Sequence, residues 1–282
     1  MTAAHRLAAK EREGHIEQKA HSTPAPLRPL RPFAAHPEII AHRGASHAAP
    51  ENTLASLNLG WQQGADAGEC DIHLTKDGHL VVIHDDDTRR TTGVASKVSQ
   101  QTLAQLRTLD AGRWKAPKWA GEKIPTLTEA LATIPRGKRL FIEIKSGPKS
   151  IPVLARTLRH SRVPLKSVVI IGFSLRLLTL AKRALPKVPV YWAADTRRAG
   201  RRRGWTIPVE ELISRTQRAG LDGLDVDATG PIDAAFVARV HAARLRLCVW
   251  TVNTAARARR LAAAGVDGIT TDQPGWLREQ LR

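Results

Sequence analysis

Short apolar runs alternate with longer segments of helical periodicity over most of the chain, from about residue 38 to the C-terminus. This alternation predicts strands that are followed by helices. The apolar runs predict strands at residues 38–42, 67–72, 139–144, 167–172, 189–193, 221–226, 246–251 and 268–271. The helical patterns predict helices at residues 53–63, 127–133, 151–160, 174–184, 209–219, 232–243, 254–264 and 275–281. Asn52, directly before the first helix, is a favourable N-cap residue.

A regular alternation of strands and helices is typical of parallel strands joined by crossover helices. Eight such units within about 245 residues match a single (β/α)8 barrel, or TIM barrel, which needs roughly 250 residues. Residues 1–37 differ, because a polar, Ala-rich stretch is followed by a segment with five prolines. We therefore predict a basic, Pro-rich N-terminal tail at residues 1–37 and one α/β barrel domain at residues 38–282.

A hairpin signal interrupts the second unit, where Asp77-Gly78 separates two apolar-alternating runs. An Asp-Gly pair favours a two-residue turn, and this register places Asp71 opposite His84. Glu69 lies two residues from Asp71 and therefore faces the same side of the strand. The hairpin then gathers two carboxylates and an imidazole on one face. An exposed hairpin with a solvated polar face is an equally good interpretation of this stretch alone.

About 40 residues separate this hairpin from the predicted helix at residue 127. Long insertions in compact domains are usually functional, and a passive surface segment is the alternative. The fold prediction is therefore a (β/α)8 barrel with an insertion after the hairpin of its second strand.

Polar side chains end other predicted strands as well. His42 and Arg43 close the first strand, and Glu143 and Lys145 close the third. Active sites of such barrels lie at the C-terminal ends of the strands. These four side chains, the carboxylates of the second strand and His84 should therefore converge on one rim.

Three carboxylates at one rim, those of Glu69, Asp71 and Glu143, would repel one another unless a cation neutralises them. Oxygen ligands suit Mg²⁺ or Ca²⁺ rather than zinc. Glu143 has a simpler alternative, an ion pair with Lys145, and both roles are compatible.

Two imidazoles near these carboxylates, those of His42 and His84, can supply one general acid and one general base. A lone histidine is more often structural, but two at a carboxylate-lined rim indicate catalysis. Arg43 and Lys145 offer fixed positive charge to a phosphoryl oxygen. Glu51 could hold Arg43 in place or cap the first helix, and the sequence favours neither.

Six motifs in order along the chain carry a family resemblance. They are His-Arg-Gly-Ala at residues 42–45, Pro-Glu-Asn-Thr at 50–53, Glu-x-Asp at 69–71, Leu-Thr-Lys-Asp-Gly at 74–78, Val-Val-Ile-His-Asp at 81–85 and Glu-Ile-Lys at 143–145. Together they resemble the glycerophosphodiester phosphodiesterase family, from about residue 39 to the C-terminus. The resemblance implies metal-dependent hydrolysis of small-molecule glycerophosphodiesters to sn-glycerol 3-phosphate and an alcohol. It also implies that the three carboxylates bind the metal and that both histidines act in acid–base catalysis.

The resemblance further implies that the insertion caps the active site. Trp250, at the end of the seventh barrel strand, has family counterparts and either contacts the glycerol or packs in the top of the barrel. Residues 270–274 match the closing segment of the family, and we interpret them as structural. The attacking oxygen is that of water or of the glycerol 2-hydroxyl, with family precedent for the second. Which histidine is the acid stays open.

Three stretches depart from the family or stand outside its motifs. Many members have glycine where this chain has His47, which is either exposed or affects substrate preference. The Gly172-Phe173-Ser174 ending of the fourth barrel strand also differs, which leaves substrate contacts there unassigned. A basic loop at residues 197–203 follows the fifth strand. It is either a solvated loop or a surface that attracts anionic substrate or makes weak contact with an acidic membrane.

The composition narrows the class of protein. Lys and Arg number 44 against 26 Asp and Glu, a formal net charge of +18, which favours anionic partners. Nucleic acid is an unfavoured partner, since zinc-finger spacing and RNA-binding aromatic motifs are missing from the sequence. Cys70 and Cys248 have neither disulfide-framework nor zinc spacing and predict buried free thiols.

The sequence has no apolar run of the roughly 18 residues that span a membrane, and the N-terminus lacks the apolar core of a secretory signal. A cytoplasmic location is therefore expected. Two other functions stay open: a lysophospholipase D-type phosphodiesterase, and a non-catalytic barrel that binds anionic lipid or nucleic acid. Every expected ionisable site position is filled, which favours an enzyme. The alcohol, the choice of Mg²⁺ or Ca²⁺ and the oligomeric state are not predicted.

Overall fold

A computed structural model of the chain describes residues 36–194 and 207–282. Within these two ranges, nine strands form one sheet, and eight of them are parallel and close into a barrel. The strands are β1 (Glu38–Ala41), β2 (Ala67–Leu74), β3 (Leu80–Val82), β4 (Arg139–Ile144), β5 (Val168–Gly172), β6 (Val190–Ala194), β7 (Gly223–Asp227), β8 (Arg246–Trp250) and β9 (Gly268–Thr271). β3 lies outside the ring, antiparallel to β2, and the barrel closes through pairing of β1 with both β2 and β9.

Helices follow the barrel strands, and two more lie in the insertion. They are α1 (Leu54–Gln62), α2 (Arg89–Thr92), α3 (Leu103–Thr108), α4 (Leu127–Ala132), α5 (Ser150–His160), α6 (Leu175–Ala184), α7 (Val209–Arg218), α8 (Ala234–Ala242), α9 (Ala255–Ala264) and α10 (Pro274–Gln280). In the ranges described, none of these helices combines the length and the apolar character needed to cross a bilayer.

The predicted TIM barrel is confirmed, and each predicted strand and helix agrees with the structure to within two residues at either end. The predicted tail at residues 1–37, apart from its last two residues, and the basic loop at residues 197–203 lie outside the described residues.

The core has two layers, as a barrel wrapped in helices requires. Inside the barrel, seven buried residues form one apolar cluster: Ile40, Ala67, Phe141, Val169, Ile171, Tyr191 and Cys248. A larger cluster fills the space between the strands and the surrounding helices. Cys70 and Cys248 are both buried free thiols, as predicted.

The hairpin register differs from the prediction by one residue. His73 pairs with Val81, so the loop contains Lys76, Asp77 and Gly78 and not two residues alone. Gly78 has φ +83° and supplies the left-handed position that a three-residue hairpin loop needs. The predicted pairing of Asp71 with His84 is therefore wrong. Asp71 accepts a hydrogen bond from the backbone N–H of Ile83, and His84 lies one residue further, where the chain leaves the sheet.

The insertion has a small core of its own. Six buried side chains pack together there: Val81, Ile83, Val98, Leu106, Ala111 and Ile124. The backbone N–H of Val82 also donates to the carbonyl of Pro125 at 2.7 Å, which fastens the end of the insertion to β3. The insertion is therefore a packed cap whose position relative to the barrel is defined.

Candidate active site

Two neighbouring strands, β2 and β4, bring three carboxylates together. One oxygen each of Glu69, Asp71 and Glu143 lies within 4.8 Å of the other two. Glu69 and Asp71 project from β2 with the spacing of two that the sequence indicated, and Glu143 comes from β4, which pairs with β2 so that Asp71 and Glu143 are register partners. These three oxygens form a compact acidic cluster that could hold a cation.

Asp71 is the best compensated of the three carboxylates. Its oxygens lie 3.2 Å from Lys145 Nζ and 3.2 Å from Arg43 Nε, and Asn52 Nδ2 donates to it at 2.8 Å. Burial alone would raise the pKa of Asp71, but Lys145 and Arg43 outweigh burial and lower the pKa to about 2. Asp71 is therefore ionised at any physiological pH.

The other two carboxylates lack full compensation. Burial and the charge of Asp71 raise the pKa of Glu143 to about 7, although Lys145 Nζ lies 2.8 Å from Glu143 Oε1. Burial and the charges of Asp71 and Glu143 also raise the pKa of Glu69. The ion pair with Lys145 that was considered for Glu143 does form. It leaves enough uncompensated negative charge for a hard divalent cation, which favours such oxygen ligands.

Asp225 adds another carboxyl group, whose charge interacts with that of Glu143. It lies on β7 and is only 3% exposed. Burial and the charge of Glu143 raise its pKa to about 8. Its Oδ1 accepts no hydrogen bond from the residues that the structure describes. The rim of the barrel thus holds more carboxyl groups than the side chains of Arg43 and Lys145 neutralise, which fits a bound divalent cation.

Arg43 is held in place by its backbone and by its side chain. Its φ of +53° and the φ of +82° at Gly44 turn the chain sharply after β1. The backbone N–H of Arg43 donates to Glu69 at 2.8 Å, and Nη1 donates to Glu51 Oε1 at 2.9 Å. Glu51 therefore contacts Arg43.

Neither Glu51 nor Asn52 caps the first helix. Thr53 is the N-cap of α1, and its Oγ1 accepts from the N–H of Ser56. Asn52, with φ +58°, instead donates to Asp71 and accepts from the N–H of Asp71 at 3.1 Å. The prediction of Asn52 as the N-cap is wrong, because its side chain is used to orient the acidic cluster.

His42 is oriented by a carboxylate that sequence reasoning assigned to structure. Its Nδ1 lies 2.7 Å from Asp272 Oδ1, just after β9. Ser46 Oγ and Asn253 Nδ2 also donate to Asp272, at 3.0 and 2.5 Å. Burial would raise the pKa of Asp272, but the hydrogen bonds and His42 lower it to about 2. An ionised carboxylate only accepts, so Nδ1 carries the proton and Nε2 of neutral His42 is a base.

His84 has a similar partner beside it in sequence. Its Nδ1 lies 2.7 Å from Asp85 Oδ1. Hydrogen bonds from Arg90 and His84 lower the pKa of Asp85 to about 2. Burial is the main cause that lowers the pKa of His84, which favours the neutral ring near neutral pH. The site therefore contains two His–Asp pairs, each with Nε2 left for a ligand.

Two aromatic side chains lie at the C-terminal ends of β5 and β8. Phe173 and Trp250 meet edge to face with their ring centroids 5.7 Å apart, and Phe173 is 48% exposed. Trp250 Nε1 donates to the carbonyl of Asp225 at 3.1 Å. Lys145 Nζ lies 5.9 Å from the Phe173 ring centroid. Trp250 is half-buried at the mouth and is not a fully buried core residue.

A cavity of about 320 Å³ opens beside the two residues that follow β1. It is lined by His42, Arg43 and Asp272 on the barrel side and by Trp114 and Lys115 of the insertion. His47 and Glu51 also face it, together with Ser46. His47, where the chain departs from the family, is thus exposed and lies beside the candidate site.

Sequence reasoning missed several residues of this site: Asn52, Asp85, Arg90, Trp114, Lys115, Asp225, Asn253 and Asp272. Asp85 could have been found, because it directly follows His84 and a carboxylate beside a histidine is a frequent orienting partner. The others gave no comparable local signal.

Comparisons with known proteins agree with this geometry. The sequence pattern of the glycerophosphoryl diester phosphodiesterase family matches residues 42–276. A glycerophosphodiester phosphodiesterase of Caldanaerobacter subterraneus is 34% identical over 86% of this chain and 97% of its own. One from Bacillus subtilis is 31% identical over 83% of each chain.

Among solved structures, a phosphodiesterase of Oleispira antarctica in complex with the product sn-glycerol-3-phosphate is similar to this chain. The TM-score is 0.77 and the identity 30%, over 87% of this chain and 96% of the other. The family match begins directly after β1 and ends within α10, so it includes every residue of the candidate site. The chain therefore belongs to the glycerophosphoryl diester phosphodiesterase family and is a phosphoric diester hydrolase.

Proposed function

We propose that this enzyme hydrolyses glycerophosphodiesters to sn-glycerol 3-phosphate and an alcohol, with one divalent cation and with His42 and His84 as acid and base. The observation that carries the proposal is the meeting, at one rim, of the acidic cluster, two His–Asp pairs and two cationic side chains. The product bound to the Oleispira antarctica relative supports the choice of substrate.

In this proposal Glu69, Asp71 and Glu143 hold Mg²⁺ or Ca²⁺. When bound, the cation would stabilise the negative charge that develops on the phosphoryl oxygens. The raised pKa values of Glu69 and Glu143 support this role, because burial and mutual repulsion leave both groups in need of a positive partner.

Arg43 and Lys145 bind the phosphoryl group in the proposed reaction. Both already contact Asp71, which holds their charged ends at the rim. Arg43 Nε makes no hydrogen bond of good geometry within the described residues, although it is buried. The guanidinium is fixed by Asp71 and Glu51, and a fixed guanidinium stabilises the developing charge with little reorganisation.

His42 and His84 divide the two proton transfers. One accepts the proton of the attacking oxygen at Nε2, and the other, protonated at Nε2, donates to the leaving alkoxide. Asp272 and Asp85 hold the Nδ1 protons, which fixes both tautomers with Nε2 towards the site. The attacking oxygen is that of water or of the glycerol 2-hydroxyl, and a transient cyclic phosphate among the products would identify the second route.

The glycerol half of the substrate is proposed to lie against Trp250 and Phe173. Their edge-to-face pair offers an apolar wall next to Lys145, and the exposed part of Phe173 is open to a ligand. Carbon-bound hydrogens of a glycerol unit pack favourably on such a surface.

The basic loop at residues 197–203 is proposed to attract anionic substrates by its charge. Replacing its arginines with serine should then raise KM at low salt. An unchanged KM would contradict this role. A weak contact of the protein with acidic membranes is proposed on the same basis.

The direct test is release of glycerol 3-phosphate from glycerophosphocholine and glycerophosphoethanolamine, with EDTA, Mg²⁺ or Ca²⁺. We expect metal-dependent turnover that is lost in His42→Ala. The control variant His160→Ala, at an exposed position outside the site, should retain it. Turnover in EDTA-treated, metal-free protein would contradict the proposed cation. Release from lysophospholipids alone would indicate the lysophospholipase D-type activity, and binding without turnover would indicate a non-catalytic barrel.

A further inference from the structure

Lys115 is a cationic group of the cavity that has no ion pair within the described residues. Its Nζ donates to the carbonyl of Ser46 at 2.7 Å and lies 5.7 Å from the ring centroid of Trp114. A carbonyl accepts one of the three protons of the ammonium group and supplies no negative charge. The other two N–H donors of Lys115 and its positive charge are therefore available to a ligand.

The two carboxylates of the same cavity are already occupied. Glu51 accepts from Arg43 and twice from Arg90. Asp272 accepts from His42, Ser46 and Asn253, as described above. Neither carboxylate contacts Lys115, so the cavity presents an unpaired ammonium group to whatever enters it.

The location of the cavity fits the alcohol half of a diester. His42 and Arg43 line it, so a ligand there lies next to the proposed phosphoryl position. Phe173 and Trp250, the proposed glycerol wall, are not among its lining residues and come from β5 and β8. A diester centred on Arg43 would therefore place its glycerol on one side and its alcohol under Trp114 and Lys115.

The charge at this position discriminates between alcohols. The ammonium of Lys115 already lies over the ring of Trp114, where a choline or ethanolamine cation would otherwise bind. A second cation there is repelled, whereas a carboxylate would gain a charge-assisted hydrogen bond. We propose that this cavity is the subsite for the leaving alcohol and that Lys115 makes the enzyme prefer alcohols that carry a carboxylate. This inference rests on the proposed function.

Glycerophosphoserine and glycerophosphoethanolamine provide the test, because they differ only by one carboxylate on the alcohol. We expect kcat/KM of the wild type to be about fivefold higher for glycerophosphoserine, the value of a charge pair that is partly open to water. Lys115→Gln, which keeps a hydrogen-bond donor, should bring the ratio to about one. Lys115→Glu should reverse it.

Lys118→Ala is the matched control, since Lys118 lies 5.1 Å from the ring centroid of Trp119 but does not line the cavity. It should keep the wild-type ratio. Equal kcat/KM for both diesters, or a ratio that survives in Lys115→Gln, would overturn the inference and leave the proposed function standing. Absence of turnover with either diester would instead reject the proposed function, and this inference with it.

Discussion

Arg90 and Glu51 are joined by two hydrogen bonds, from Nη1 to Oε2 at 2.8 Å and from Nη2 to Oε1 at 2.7 Å. Arg90 belongs to α2 in the insertion and also donates from Nε to Asp85 at 2.7 Å. Since Glu51 contacts Arg43 and Asp85 contacts His84, one guanidinium from the cap braces the partners of both Arg43 and His84.

Removing this guanidinium should reduce the rate of reaction more than the stability of the fold. We expect Arg90→Ala to lower kcat by about tenfold, because Asp85 and Glu51 lose the partner that orients them. Arg90→Lys should not restore the rate, since an ammonium cannot bridge both carboxylates with a planar fork. Steady-state kinetics with a thermal-unfolding measurement checks this. The neighbouring Arg89→Ala is the control, and an equal effect there would contradict the assignment.

Asp272 should matter for catalysis through His42. We expect Asp272→Asn to lower kcat by about 100-fold with little change in KM, because an amide can hold the imidazole in the wrong tautomer. Kinetics with glycerophosphoethanolamine measures the two constants separately. The matched control is Asp86→Asn at a surface ion pair with Lys97. A change confined to KM would mean that Asp272 contributes to binding and not to proton transfer.

The same carboxylate should contribute a pH-dependent part of the stability. Its pKa in the folded protein is about 2, below its ordinary value. A depressed pKa stabilises the fold above the unfolded pKa of about 4, and this contribution is lost as the pH falls towards 2. The free energy of unfolding of the wild type should therefore exceed that of Asp272→Asn by about 1 kcal/mol at pH 7, allowing for partial exposure of the carboxylate. The difference should be smaller at pH 3. Urea unfolding at several pH values tests this; a constant difference would contradict it.

Divalent cations should stabilise the folded enzyme without any substrate. A cation at a concentration of 100 times its Kd adds about 2.7 kcal/mol to the free energy of unfolding. This corresponds to a rise of roughly 5 °C or more in Tm for a chain of this size. Glu143→Gln should lose most of this rise, because it removes one anionic ligand from the acidic cluster. The exposed Glu279→Gln should keep it. An equal rise of Tm in both variants would place the cation elsewhere.

Gly44 should tolerate no side chain. A Cβ built there would lie 2.2 Å from Ser56 Oγ and 2.4 Å from the backbone carbon of Ser56, and φ is +82°. Gly137 has nearly the same φ, +84°, but open space around it. We expect Gly137→Ala to lower the free energy of unfolding by about 1 kcal/mol, from backbone strain alone. Gly44→Ala should cost about 3 kcal/mol or more, since overpacking adds to the strain. Similar losses of Tm would show that crowding is unimportant.

The sequence determined the barrel and the positions from which its site is built. Buried parallel strands need continuous apolar runs, and helices need their own period, so both elements and their order could be predicted locally. The strand ends follow from the same pattern, which is why the residues of the acidic cluster and Arg43 could be assigned to one rim before any contact was known.

Only the tertiary structure decided which partners these residues have. His42 meets Asp272 across 230 positions of sequence, and Arg90 meets Glu51 across 39. Such pairs depend on how the barrel closes between β1 and β9 and on how the cap packs, and no local period encodes either. The hairpin loop also has distant partners, because the backbone N–H of Lys76 donates to the carbonyl of Gln101 and Asp77 accepts from the N–H of Leu103, both in the insertion.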